Sequence, residues 1–533
     1  MLFQATLAVL AASLALVSAA PGSLDERAQQ HHPKPPQPSS TPLPVVNQTT
    51  CNGNTYAYNQ LAGYGFVPSN ARDKFGDTMG GFGSAIAFDE SSWQKTKNGS
   101  YTGILWVLPD RGWNTEGTTN YQNRLHKFGV TLTPQPSATV ANPSGPNVQF
   151  QYLDSVLFTG PDGTPTTGLD ADVTGFVQFP GFPILPVADY TGDGFGGNGT
   201  GGRRITVDSE GLVLAKDGTF WVGDEYGPYI YHFDSHGKMI QVIQPPAAYL
   251  PQRNDSVSFS ADSPPIYNPN EIIVPANTVS GRDNNQGFEG LTVSPDGRTL
   301  YALMQSALDQ EGGPNDPSRL NARFISYDIS GRTPKLLSEH VVTLPVYTSN
   351  KGKSKVAAQS EIHYLTDTQF LVLSRDSGSG HGQSSSLSLY RHADIFDVSG
   401  PATNINKISG VDAVNGSIAS ATGVLNANVT PAQYCSFLDF NVNSQLNRFG
   451  VYNGGAQSQN LLNEKWESLA TVPVNPGKDD GEYFLFSLSD NDFITQDGFM
   501  LGGKFTYADD SGYNLDNQAL VFQISVPKDV KPS

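Results

Sequence analysis

Apolar residues along this chain fall in short runs broken by Asp-Gly, Asn-Gly and Pro-containing turns, and helical periodicity is scarce. The clearest stretch predicts a strand at 291–294, a turn at Pro295-Asp296-Gly297-Arg298 and a second strand at 299–304, with further strands at 323–328 and 335–343. The same order returns at tighter spacing from Gly211, where a Lys216-Asp217-Gly218 turn leads to strands at 220–223, 229–234 and 238–243. Each unit opens on similar residues: Ser209-Glu210-Gly211-Leu212, Phe288-Glu289-Gly290-Leu291, Ser360-Glu361-Ile362-His363 and Trp466-Glu467-Ser468-Leu469. A weaker copy, Gly83-Ser84-Ala85-Ile86, has Ser in place of Glu. The second strands end in polar groups, at Asp110-Arg111, Asp224-Glu225, Gln305-Ser306, Arg375-Asp376 and Asp490-Asn491-Asp492. Two antiparallel strands joined by a hairpin begin and end together, so these groups are expected on one face.

Four antiparallel strands per repeat describe a propeller blade, and the fold expected is all-β: a single closed β-propeller of six or seven four-stranded blades, five of them readable. A strand near 55–61 is expected to complete the last blade beside 519–526. The stretches 131–207, 245–285 and 401–460 hold strand-like runs without a clean copy. Gly 55, Pro 37 and 10% aromatic residues agree with many short strands.

The first 20 residues carry an apolar stretch at 7–17 followed by Ser18, Ala19 and Ala20, the pattern of a secretory signal peptide. Residues 21–50 are rich in Pro, Ser, Gln and His and read as a disordered linker, leaving 51–530 as the propeller domain. A secreted, extracellular protein is therefore expected. Six Asn-x-Ser/Thr sequons fit that route, at Asn47, Asn98, Asn198, Asn254, Asn415 and Asn428. The two cysteines, Cys51 and Cys435, are expected to pair in an oxidising compartment. The chain-entropy model credits so long a loop with roughly 5 kcal/mol at most. A net charge of −18 argues against nucleic acid and acidic membranes as partners, and no later segment is long and apolar enough to span a bilayer. A monomer acting on a small molecule is expected, with an anionic substrate needing a bridging cation.

Several catalytic signatures are missing: there is no Gly-x-Ser-x-Gly elbow, no phosphate-binding P-loop and no His-Glu-x-x-His zinc motif. Arg391-His392-Ala393 is only a fragment of the Arg-His-Gly signature of histidine acid phosphatases and is given no role. Oxygen ligands remain: Asp110, Glu210, Asp224, Glu225, Glu289, Glu361, Asp376, Glu467, Asp490 and Asp492. Carboxylates converging on one face repel unless protons, cationic side chains or a hard cation offset them. Ca²⁺ suits the set best, with Glu210, Asp224, Glu289, Glu361, Asp376, Glu467 and Asp490 as expected ligands. Glu225 or Glu289 would serve as general base, and Arg111 and Arg375 would either offset the carboxylate charge or grip an anionic group. The competing reading is architectural, each carboxylate bonding the backbone of the next unit. Asp217 and Asp296 are turn residues, and the segment from Asp189 to Asn198 is read as a Gly-rich loop because its spacing misses the calcium-loop pattern.

Asp208-Ser209-Glu210-Gly211-Leu212, the run from Asp217 to Pro228, the run from Gly287 to Gly297 and Leu300 to Ser306 resemble the phytase-like family, also described as "esterase-like activity of phytase". Lys465-Trp466-Glu467-Ser468-Leu469 with Ser489 to Phe493 is similar to that family's last blade, with Glu-Ser here for Glu-Gly. The resemblance spans most of 75–525. It implies a secreted or periplasmic propeller, and the family name suggests phosphoester or carboxyl-ester hydrolysis. The insertion at about 174–204 departs from the compact pattern. A non-catalytic binding propeller and a lactonase-like metal-dependent enzyme remain the alternatives.

Overall fold

The expected hairpins form, and their polar ends do meet. In the computed structural model, which describes residues 45–532, three four-stranded antiparallel sheets carry the repeat. The first is Ser209–Leu214, Phe220–Asp224, Ile230–Phe233 and Met239–Ile243. The second is Phe288–Val293, Thr299–Met304, Asn321–Asp328 and Lys335–Thr343. The third is Ala358–Tyr364, Gln369–Arg375, Arg391–Asp397 and Gln433–Asp439. Their inner strands are buried almost throughout rather than on alternate positions, because each sheet is covered on both faces. Val213, Trp221 and Ile230 of the first sheet pack on Phe288, Leu291 and Leu300 of the second. Tyr301, Leu303 and Phe324 of the second pack on Ile362, Phe370 and Val372 of the third.

The single closed propeller expected from the repeats is not evident. The described strands fall into one ten-stranded sheet, three four-stranded sheets, one three-stranded sheet and three two-stranded sheets, none closed on itself. Strand Asn54–Val67 is the cause of the largest departure. It pairs antiparallel with Asn517–Ser525, as expected, but its other edge meets Val148–Leu157 in parallel through Gly65 and Val148. What reads as two blades is thereby one sheet, running from Lys465–Trp466 to Ala85–Lys95. A Cβ at Gly65 would lie 2.3 Å from the Val148 carbonyl oxygen, so this approach requires glycine. The stretches without a clean repeat add the small sheets, among them Phe176–Gln178, Ile184–Tyr190 and Gly202–Ile205.

The signal peptide and nearly all of the linker expected at 1–50 lie outside the described residues. Residues 47–50, read from composition as linker, instead belong to a strand, Asn47–Cys51, paired with the start of Asn54–Val67. Asn47 Nδ2 and Thr49 Oγ1 also donate to the carbonyls of Phe437 and Ser436, both at 2.5 Å. Cys51 and Cys435 form a disulfide with Cα atoms 5.8 Å apart, fastening this strand to the third sheet. All six sequon asparagines are exposed. No helix among the described residues is long and apolar enough to cross a membrane.

Candidate functional site

The repeated Glu lies inside a register shift in the first two four-stranded sheets, between Ser209 and Leu212 and between Phe288 and Gly290, and directly after one, between Gln359 and Glu361, in the third. A bulge there re-aims the side chain at the strand start. The following glycine is explained by the next sheet. A Cβ at Gly211 would sit 2.4 Å from Leu291 Cβ, and one at Gly290 would sit 3.0 Å from Ile362 N. The motifs of successive sheets therefore touch along one face.

On that face two groups of three carboxylates stand side by side. In one, Asp208, Glu210 and Glu225 each bring a ligand atom within 4.8 Å of the others; in the second, Asp110, Asp490 and Asp492 do the same. Arg111 Nη1 lies 3.1 Å from Asp208 Oδ2, while Tyr226 accepts a 3.4 Å bond from Arg111 and donates to Gly168 O at 3.0 Å. Asp208 Oδ1 and Glu225 Oε1 are buried with no hydrogen-bond partner. The second group is held by Lys465, whose Nζ is 3.0 Å from Asp490 and 2.7 Å from Asp492. Lys465 also reaches Glu467 at 4.0 Å, and Arg375 pairs with Glu467.

Eight carboxylates (Asp110, Asp208, Glu210, Glu225, Glu289, Glu467, Asp490 and Asp492) thus act on one another around three cationic heads. Burial and mutual repulsion favour protons on the acids. Burial, then Asp208, lifts Glu225 to about 8. Glu210 is held well above its ordinary range by burial and by Glu289 and Glu225, and Glu289 by burial and by Glu225 and Glu467. Burial opposes the charge of Lys465, but Asp490, Asp492 and Glu467 outweigh it and hold the ammonium protonated. A hard cation among these acids would do what protons do at lower pH.

The family model described as "Phytase-like: Esterase-like activity of phytase" matches residues 78–493. The chain belongs to the phytase-like family. It is 57% identical over 476 residues to an uncharacterized secreted protein of Arthroderma benhamiae, covering 87% of this chain and 93% of that one. This phytase-like protein is secreted. Among solved structures it aligns with a luciferin-regenerating enzyme at 11% identity and TM-score 0.25, covering 88% of this chain and 97% of that one. A protein of unknown function from Dyadobacter fermentans aligns at 10% identity and TM-score 0.29, covering 88% and 99%. Such scores carry no argument about fold or chemistry.

The phytase-like chain sorts its sequence candidates by their partners. Glu210, Glu225 and Arg111 meet at the first group, and Asp490 at the second. Glu289 accepts from Gln305 Nε2, leaving Oε2 buried and unpartnered. Three expected ligands are occupied otherwise. Asp224 accepts from Asp208 N, Tyr226 N, Gly227 N and Tyr231 Oη, at 2.8, 3.2, 2.9 and 2.9 Å. Glu361 accepts from Leu291 N at 3.0 Å and Ile362 N at 2.8 Å, tying the second sheet to the third. Asp376 accepts from Ser388 Oγ at 2.7 Å and Leu389 N at 2.6 Å. Asp208 and Lys465 were missed as site residues. Both stand just ahead of a repeated Glu, two residues before Glu210 and two before Glu467, so extending the motif upstream would have found them.

Proposed function

We propose that this secreted phytase-like protein is a calcium-assisted hydrolase of phosphate or carboxyl esters, working at Asp208, Glu210 and Glu225. The observation that carries the reading is the pair of buried, unpartnered oxygens, Asp208 Oδ1 and Glu225 Oε1, inside a group whose ligand atoms lie within 4.8 Å of one another. Two oxygens bound to one Ca²⁺ at about 2.4 Å are at most about 4.8 Å apart, so the spacing suits one ion. Asp208, Glu210 and Glu225 would hold it. When bound, Ca²⁺ would polarise the ester and lower the pKa of a water molecule.

The chain's own residues divide the remaining work. Arg111 favours the ionised form of Asp208 and is itself 12% exposed, so its free donors face an incoming anionic group. Glu225 is the general base: its proton, held up to about 8 by burial, leaves more readily once positive charge stands beside it. Lys465, 28% exposed, neutralises Asp490 and Asp492 and limits the repulsion an anionic substrate meets.

Initial rates on p-nitrophenyl phosphate, p-nitrophenyl acetate, a lactone and phytate, each with Ca²⁺ and with EDTA, test the reading. At least one ester is expected to turn over with Ca²⁺ and stop with EDTA, and Glu225→Gln is expected to slow it about 100-fold or more. No turnover in any arm, with melting curves in Ca²⁺ and EDTA superimposed, overturns it and leaves the carboxylates architectural.

A further inference from the structure

Four arginines are among the largest fully buried side chains, and three of them are well satisfied. Arg253 donates to Ser260 O and Ala276 O at 2.9 Å and to Asn284 Oδ1 at 2.5 Å. Arg282 donates to Phe259 O at 2.6 Å and twice to Tyr226 O, at 3.0 and 2.9 Å. Arg323 forms a fully buried ion pair with Glu311 at 2.5 Å. Arg391 has only Asn441 Oδ1 and Ser379 O, both at 3.4 Å, and its Nε is unpartnered. No carboxylate among the described residues pairs with it. Asp376, whose field it feels most, has its own oxygens taken by Ser388 and Leu389.

Arg391 also stands directly opposite Arg375 in the ladder between Gln369–Arg375 and Arg391–Asp397, so both side chains leave the sheet on the same face. Like charges so placed repel, and Arg375 Nε is likewise buried and unpartnered. Glu467 pairs directly with Arg375, whereas Arg391 has no direct ion pair among the described residues and feels Asp376, Glu464 and Asp439 only through space. A buried guanidinium with no anion in contact is costly, and its forked donors match a planar or tetrahedral oxyanion.

We propose that Arg391 and Arg375 form a seat for a small oxyanion, a phosphate or carboxylate group, on the rim of the carboxylate face. Arg391 is fully buried and the Arg375 side chain is 11% exposed, so the Arg375 side is the one nearer solvent. Arg375 also senses Glu289, so a bound oxyanion would lie beside the acidic cluster and could be part of a substrate or a free ion. The seat stands independently of the calcium reading.

Thermal melting in inorganic phosphate, in acetate and in chloride at matched ionic strength tests it. Phosphate or acetate is expected to raise the wild-type melting temperature by a few degrees over chloride, and Arg391→Met to lose that rise. Arg391→Met should melt no lower than wild type in chloride, since it removes a buried charge with no contacting counterion, and should keep its response to Ca²⁺. Arg391→Lys, which keeps the charge but not the fork, should retain a reduced rise should the methionine variant fail to fold. Equal melting of the wild type in all three salts overturns the seat, as does an Arg391→Met variant that melts lower in chloride yet keeps the full phosphate and acetate rise. A nucleotide-free phosphomonoester and inorganic phosphate, compared in the same assay, separate a substrate group from a free ion.

Discussion

Neighbouring carboxylates on this protein differ in what surrounds them, and that decides their roles. Asp224 and Glu225 are adjacent and both buried, yet Asp224 accepts four donors while Glu225 Oε1 accepts none. Glu225→Gln is therefore expected to weaken the rise in melting temperature caused by Ca²⁺, which by linkage is worth about 2.7 kcal/mol at 100 times the dissociation constant. Asp224→Asn should lower stability by about 1–3 kcal/mol while leaving that rise in place, because an amide end must face an N–H or O–H donor. Calorimetry of both variants with Ca²⁺ and with EDTA separates the roles. The acids also set a pH dependence. Burial raises Glu225 and Glu339 to about 8 and Asp224 and Asp309 to about 7, above their unfolded values near 4. Between those limits the folded state keeps protons that the unfolded state has lost, so stability falls as pH rises from about 4 to about 8. Melting temperatures in EDTA should follow that fall, and Ca²⁺ should flatten its upper part. A flat EDTA profile would count against protonated acids in the cluster.

At the level of elements, Glu361 links two sheets by accepting from Leu291 N and Ile362 N. Its burial favours the neutral form. Glu361→Gln keeps the accepting oxygen and should be nearly silent in denaturant unfolding, whereas Glu361→Ala should lose about 1–3 kcal/mol by leaving buried N–H groups unpaired. Gly211→Ala, whose Cβ would lie 2.4 Å from Leu291 Cβ, should be worse tolerated than a change at Gly297, where a Cβ would meet nothing within 4 Å and only the positive φ of 75° is strained. These elements also mark how far the sequence could be read. The strands at 299–304 and 335–343 are where alternation and turn residues put them, because local pattern decides a hairpin. The repeated Glu-Gly announced a shared face, but not that Glu361 would bond backbone while Glu210 would not. That distinction rests on which residue of the next sheet lies opposite, a tertiary fact. Lys465 was legible as a residue just upstream of Glu467, but its pairing with Asp490 and Asp492 was not, because that too is a tertiary fact.

For the whole molecule, the failure to form one closed propeller lies in a single strand that pairs on both edges, Asn54–Val67, and no periodicity reveals the partner of a second edge. The disulfide spans 384 residues of sequence. Cys435→Ser should lower the melting temperature and expose Asn52 and Gly53 to limited proteolysis; an unchanged cleavage pattern would show that the strand's hydrogen bonds suffice without the bridge. That same strand has a bearing on how the protein is made. Asn54–Val67 leaves the ribosome well before Asn517–Ser525, which covers one of its edges and joins it to Glu482–Asp490. Until Asn517–Ser525 emerges, the nascent chain carries a long, Tyr-rich edge whose partner has not been made, the kind of surface that invites pairing between chains. The three later sheets can assemble as they emerge, whereas the ten-stranded one must wait for Asn517–Ser525. Secretion should therefore depend on holding factors in the translocation compartment, and a stop codon placed shortly before Asn517 should yield aggregate rather than a slightly weakened protein.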